Sequence, residues 1–287
     1  MRGLSSPLAD RGLGMGWRPE ICGIIAQLDI GFCEVIAESL VSGNRGLAIP
    51  DELTVLRSRG VPVVPHGISL SIGGVDDVDS ARIAHLAACA DALDAPLVSE
   101  HIAFVRADGV EAGHLLPMPR TAEALDVLTR NIRRVQDGLE VPFAVENIAA
   151  LFDWPDAEYS ESEFLAELIE RTGVYLLLDI ANVYANARNR GLDASAELAR
   201  LPIEQIAYCH VAGGSEFDGM YHDTHTDRVP EEVLALVGEL RAATSAPLML
   251  ELDGNYPPAA ALLAELDAIA DSAGLDRITA ATEWSNR

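Results

Sequence analysis

Positive charge is scarce in this chain. Lys and Arg together number 20 against 45 Asp and Glu, giving a formal charge of −25 over 287 residues. Phosphate backbones need a basic field, so a pI near 4.4 argues against nucleic acid as a partner. Cysteine is sparse too: Cys22, Cys33, Cys89 and Cys209 are scattered and form no CxxC pair. That speaks against a disulfide framework or a thiolate zinc site and fits a reducing compartment. The N-terminal stretch has no apolar core of a secretory signal. No run approaches the ~18 uninterrupted apolar residues of a membrane span. These absences together predict a cytoplasmic protein. What is present is apolar mass: a hydrophobic fraction of 49% with mean hydropathy +0.16 excludes wholesale disorder.

Eight short apolar runs recur along the chain, at 12–17, 32–37, 61–66, 96–103, 142–148, 174–180, 206–211 and 247–252. Runs without strict alternation are what parallel strands buried on both faces look like. Helical periodicity fills the intervals, at 80–94 with a Ser80 cap, 121–139 opening on Thr121 and Glu123, 161–172, 194–200, 230–243 and 257–273. Eight β-then-α units predict one α/β domain over 1–287, a (β/α)8 TIM barrel with its core at roughly 12–273. A doubly wound sheet is the rival, and the strand count favours the barrel. Two loops stand out. Residues 105–119 can turn at Asp108-Gly109 after the fourth strand, and 213–229, rich in Gly, Asp and His, follows the seventh.

Charged residues fall where barrel strands end: Glu38 after strand two, His66 at strand three, Glu100-His101 at strand four, Glu146-Asn147 at strand five, Asp179 at strand six, His210 at strand seven and Glu251 at strand eight. Strand C-termini share one mouth, where such barrels place their chemistry. Asp223 and His225, on the long loop after strand seven, can fold back over that mouth. His85 and His222 read as structural or solvated, while His114 is left undecided on its hairpin. So many carboxylates cannot remain buried and ionised without a compensating cation. Divalent ions supply it, and imidazole with carboxylate but no thiolate suits zinc, iron or manganese. More candidate ligands than one ion needs implies two or three ions. At this level both a zinc hydrolase and an iron oxygenase remain open.

The phrases His66-Gly-Ile-Ser-Leu-Ser, Ser99-Glu-His101, Val145-Glu-Asn147, Leu177-Leu-Asp179-Ile-Ala-Asn182-Val-Tyr184-Ala-Asn186 and Asp223-Thr-His225, taken in order, resemble the signature of one family. It is the DUF692 or UPF0276 family, the multinuclear non-haem iron-dependent oxidative enzymes, related to methanobactin-type peptide-modifying enzymes. The resemblance spans Gly14 to about Tyr256. It implies a xylose isomerase-like barrel, two or three irons, and O2 as co-substrate. It also implies a ribosomally made precursor peptide as substrate, modified at a cysteine or C-terminal residue, and a small leader-peptide-binding partner protein. The tail after Ala273 is short, so that partner is expected in trans. Carried over by position, the family pattern makes His66, His101, Glu146, Asp179, His210, Asp223, His225 and Glu251 iron ligands. Asn182 occupies a further position where related trinuclear barrels carry histidine. Two departures concern the substrate: Ala37-Glu38-Ser39 replaces the usual Glu-Asn, and Gly214 stands where a second histidine often follows. The same ligand order resembles endonuclease IV and the xylose isomerases. The alternatives are therefore a metal-dependent hydrolase or phosphodiesterase, which the charge disfavours, or a metal-binding protein that is not an enzyme.

Overall fold

The computed structural model describes residues 6–43 and 46–281. All eight expected strands form, as β1 (Leu13–Gly16), β2 (Cys33–Ile36), β3 (Val63–Gly67), β4 (Val98–His101), β5 (Phe143–Glu146), β6 (Tyr175–Asp179), β7 (Ile206–Val211) and β8 (Leu248–Leu250). They close into one all-parallel barrel in sequence order, β1 pairing with both β2 and β8. The helices, in chain order, are α1 (Cys22–Ile25), α2 (Asp51–Ser58), α3 (Ser80–Leu93), α4 (Ala122–Asp137), α5 (Glu161–Thr172), α6 (Ile180–Arg190), α7 (Ala194–Leu198), α8 (Glu231–Ala243), α9 (Ala259–Ala273) and α10 (Ile278–Ala281). Among the described residues no helix is long and apolar enough to cross a membrane.

Residues two apart on a strand share a face, and here that periodicity sorts polar from apolar. Phe32, Val64, Leu97, Ala144, Leu177, Tyr208 and Met249 belong to one buried cluster that fills the N-terminal half of the barrel. Two residues on from them stand Glu34, His66, Ser99, Glu146, Asp179, His210 and Glu251, all buried. The inward layers are thus apolar below and polar above, and the polar layer is the floor of the mouth. The register staggers this layer around the barrel: His66 pairs with Ser99 and Asp179 with His210, whereas Glu146 pairs with His101, two residues on from Ser99, which brings His101 to the same layer. A second, larger apolar layer lies between the sheet and the helices, supplied by positions such as Leu125, Leu128, Ile132 and Val135 of α4.

Two differences from the sequence reading have local causes. The cap of α3 is Asp79, which accepts from Ala81 N at 2.7 Å, so Ser80 is the first helical residue. Helix α6 begins directly after Asp179, whose Oδ1 caps it by accepting from Asn182 N at 2.7 Å. Every residue of α6 from Ile180 to Ala187 is buried, so it lacks the one-sided apolar stripe that reveals a helix in sequence. The 105–119 segment folds as the expected hairpin, with strands Phe104–Ala107 and Val110–Leu116. Its turn residues Asp108 and Gly109 have φ of 49° and 74°, the left-handed pair that a tight hairpin wants. The loop after β7 is also a hairpin, Gly213–Phe217 with Met220–Asp227, and Asp218-Gly219 repeats the same turn with φ of 49° and 76°.

Candidate metal centre

The polar ring encloses three overlapping groups of side chains, each able to hold a metal ion. His66, His101 and Glu146 form the first; Glu146, Asp179, His210 and Glu251 the second; Asp179, Asp223 and His225 the third. Glu146 joins the first two: its Oε2 lies 3.3 Å from His66 Nε2 and 3.4 Å from His101 Nε2, while Oε1 lies 3.3 Å from His210 Nδ1. Glu251 Oε2 approaches His210 Nδ1 to 2.8 Å. His225, Glu251 and Asp253 make a fourth cluster at the rim. Above the ring opens a cavity of about 570 Å³, lined by Ile36, Ile68, Val105, Leu115 and Ile148 as well as by residues of the ring.

Each histidine presents one nitrogen to this centre and has the other tied down. His66 Nδ1 meets Ser99 Oγ at 2.8 Å, and His210 Nε2 meets Glu34 Oε2 at 2.9 Å. His101 Nδ1 lies 3.2 Å from Gly67 O and 3.4 Å from Glu100 Oε1, and Glu100 is itself held by Leu70 N and His101 N. His225 Nδ1 meets Asp253 Oδ2 at 2.9 Å, and Arg18 grips Asp253 Oδ1 at 2.7 Å and Glu251 Oε1 at 3.2 Å. This is how metal-ligating histidines are oriented in general. His225 has a left-handed φ of 51°, uncommon for any residue other than Gly though more often met in Asn, Asp and His than in the rest.

Five atoms at the free ends of these groups have no hydrogen-bond partner. Glu146 Oε2, Asp179 Oδ2, His210 Nδ1, Asp223 Oδ1 and Glu251 Oε2 are all buried without a hydrogen bond. An orphaned buried acceptor costs free energy of about 1–3 kcal/mol, and five of them aimed at one centre fit a multivalent cation. The field points the same way. Burial disfavours the charged form of His101, yet Glu146, Glu100 and Glu251 outweigh it and lift its pKa to about 9. His210 and His225 are likewise raised against burial, chiefly by Glu251. Burial would raise Glu146, but His101, His210 and His66 hold it near 2. Asp179 is the exception, pushed well up by burial, Asp223 and Glu146.

Comparison with known proteins adds a family. A family model described as RiPP precursor modification enzyme MbnB/TglH/ChrH matches residues 12–273. The chain belongs to this family. A UPF0276 protein of Streptomyces avermitilis is 51% identical over 271 residues, covering 91% of this chain and 55% of that protein. The chain therefore spans about half the length of that relative. A UPF0276 protein of Caulobacter vibrioides is 38% identical over 262 residues, covering 89% of this chain and 92% of that protein. The barrel is xylose isomerase-like, as solved structures of that fold show. A D-psicose 3-epimerase from Clostridium cellulolyticum H10 superposes with TM-score 0.55 at 12% identity, covering 91% of each chain. The TTHB071 protein from Thermus thermophilus, soaked with ZnCl2, gives 0.54 at 20%, covering 91% of this chain and 98% of that one. At such identities the likeness concerns fold.

Within this MbnB/TglH/ChrH-family barrel, the eight His, Asp and Glu positions picked out from sequence all converge on the mouth. Asn182 faces the cavity as well, but its Nδ2 donates to Asn147 O at 3.0 Å and its buried Oδ1 has no partner. Glu38 stays outside the groups and accepts from Ile68 N and Ser69 Oγ. His85 bonds Ala37 O, His222 sits near Phe217 O, and His114 is exposed at the cavity rim. The sequence reading missed Glu34, Ser99, Tyr208, Arg18 and Asp253, which act on the ligands from behind. The period-2 spacing Glu34–Ile36 and Ser99–His101 was the available signal. Gly214 has a structural reason: a Cβ there would lie 2.2 Å from His222 O across the hairpin. Gly214→Ala is therefore expected to shift the strand carrying Asp223 and His225, at a cost of about 1–3 kcal/mol. Thermal unfolding together with metal analysis checks this, with an unchanged melt and unchanged metal content as the contrary result.

Proposed function

We propose that this chain is a multinuclear non-haem iron enzyme that uses O2 to oxidise a ribosomally made precursor peptide at a cysteine or C-terminal residue. The observation that carries the reading is the convergence of five unpartnered buried ligand atoms on one centre in a chain of a precursor-modifying family. In this reading His66, His101 and Glu146 hold one iron and Glu146, Asp179, His210 and Glu251 a second. Asp179, Asp223 and His225 hold a third, beside Asn182. Iron, when bound, supplies Lewis acidity toward a thiolate and redox chemistry with O2, which takes the electrons the peptide gives up.

The chain's own residues set the conditions for that chemistry. The apolar lining of Ile36, Ile68, Val105, Leu115 and Ile148 receives the side chain to be modified. Glu100, Asp253 and Arg18 hold His101, His225 and Glu251 in place before substrate arrives. The hairpin with Asp223 and His225 stands outside the barrel sheet and is tied to α6 through Asn189 and Tyr221. It forms the adjustable side of the site. A small leader-binding protein delivers the peptide, and the protein works in the cytoplasm.

Anaerobic reconstitution with ferrous iron is expected to load two or three irons per chain, counted by metal analysis. Chelation is expected to abolish the O2-dependent mass change of a cysteine-containing precursor encoded nearby. Fewer than two irons per chain overturns the reading, and full turnover with zinc alone replaces it by metal-dependent hydrolysis.

A further inference from the structure

Beneath the centre lies a set of buried polar groups that no ligand group includes. Glu34 of β2, Ser99 of β4 and Tyr208 of β7 are each fully buried, as is His210, and His66 is 2% exposed. Ser99 Oγ stands 2.8 Å from His66 Nδ1 and 2.8 Å from Tyr208 Oη. Tyr208 Oη lies 2.5 Å from Glu34 Oε2, and the same oxygen lies 2.9 Å from His210 Nε2. The line crosses the barrel from one candidate ligand to another through three residues.

We propose that Glu34, Tyr208 and Ser99 are positioning residues that form one directed brace, fixing the tautomers of His66 and His210 together for metal binding. The inference rests on the metal-centre reading above. Its direction follows from counting protons. A carboxylate accepts and does not donate, so the Tyr208 hydroxyl and the His210 Nε2–H both donate to Glu34. The single hydroxyl proton of Tyr208 is then committed, and its oxygen accepts from Ser99. The proton of Ser99 is committed in turn, and its oxygen accepts from His66 Nδ1–H. In each histidine the nitrogen left for a metal ion is then the one facing the centre: Nε2 of His66, 3.3 Å from Glu146, and Nδ1 of His210, 2.8 Å from Glu251. With Glu34 ionised, turning the line around leaves two buried acceptors facing each other, the Tyr208 oxygen against the Glu34 carboxylate, and no solvent reaches them to compensate. One carboxylate outside the ligand groups therefore sets ligands in two of them.

The test titrates the metal-free full chain with Co2+, read by its visible bands and by competition with a chelator. Wild type is expected to take up at least two ions. Tyr208→Phe and Ser99→Ala are each expected to weaken the site containing His66 by about 10- to 100-fold and to alter its band. Because both cut the same line, the double variant is expected to be no weaker than the weaker single one. Glu34→Gln keeps an accepting oxygen and is expected to retain binding better than Glu34→Leu, which should weaken the sites of His66 and His210 together. Unchanged Co2+ affinity and bands in the single variants overturn the brace, as do fully additive losses in the double. Should Tyr208→Phe not fold, Ser99→Ala decides alone: unchanged affinity in it also overturns the brace. Fewer than two Co2+ in wild type overturns the multinuclear reading itself, a result distinct from either.

Discussion

Glu146→Gln is expected to strip metal from two of the three groups at once, leaving at most one ion per chain after iron reconstitution. Glutamine keeps the size of the side chain but replaces an anionic oxygen with an N–H donor. Glu146 is 2% exposed and its two oxygens face opposite ways, one toward His66 and His101 and the other toward His210. Either orientation of the amide therefore removes a ligand from one group and the charge from both. A metal ion contributes several kcal/mol of stabilisation to a reacting centre, so turnover is expected to fall on the order of 10³-fold or more. Glu38→Gln provides the comparison, because Glu38 lines the same cavity but spends its oxygens on Ile68 N and Ser69 Oγ. It should keep full metal content. Metal analysis of the two variants side by side checks the point, and equal, full loading of both would remove Glu146 from the ligand set.

The barrel was legible in the sequence because its strands are short, near-continuous apolar runs recurring between helical segments, and most of them end on a charged residue that is out of place in an apolar run. His66, Glu146, Asp179, His210 and Glu251 announce themselves in this way. The groups behind them do not. Glu34 sits in mid-strand within FCEVIA, and Tyr208 within IAYCHV passes for an ordinary core aromatic. Arg18 and Asp253 lie just past strand ends, where charge is common and carries little information. Only closing the barrel brings Arg18, after the first strand, to Glu251 at the end of the last, 233 residues apart. The hairpin after β7 was hidden differently. Its strands carry Ser, Asp, Thr and His in place of β-branched apolar residues, because one face meets the metal centre and the other meets solvent. Asp218-Gly219 was the one local signal for it.

Protons and metal ions are expected to compete for this centre, and the competition has a defined sign. In the metal-free protein burial acts to lower the pKa of His101, but Glu146, Glu100 and Glu251 overcome it and raise the value from 6.5 to about 9. A group that binds its proton more tightly when folded adds stability in full below its unfolded pKa, and that stability is lost as pH rises through the folded value. His101 alone should then remove about 3 kcal/mol from the metal-free fold between about pH 6.5 and 9. His210 and His225 shift in the same direction and add to the loss. At the acid end Glu146, held near 2, contributes stability that is present above 4.5 and fades as pH falls toward 2. Metal ions replace the same protons, so metal affinity should rise about tenfold per pH unit for each proton displaced. The loaded protein has no such protons to lose, and its melting temperature should stay level where that of the metal-free protein falls. Melting curves of both forms from pH 6.5 to 9 measure the difference. Parallel curves would mean that the three histidines do not answer to the carboxylates around them, and the electrostatic case for a metal centre would fall with that.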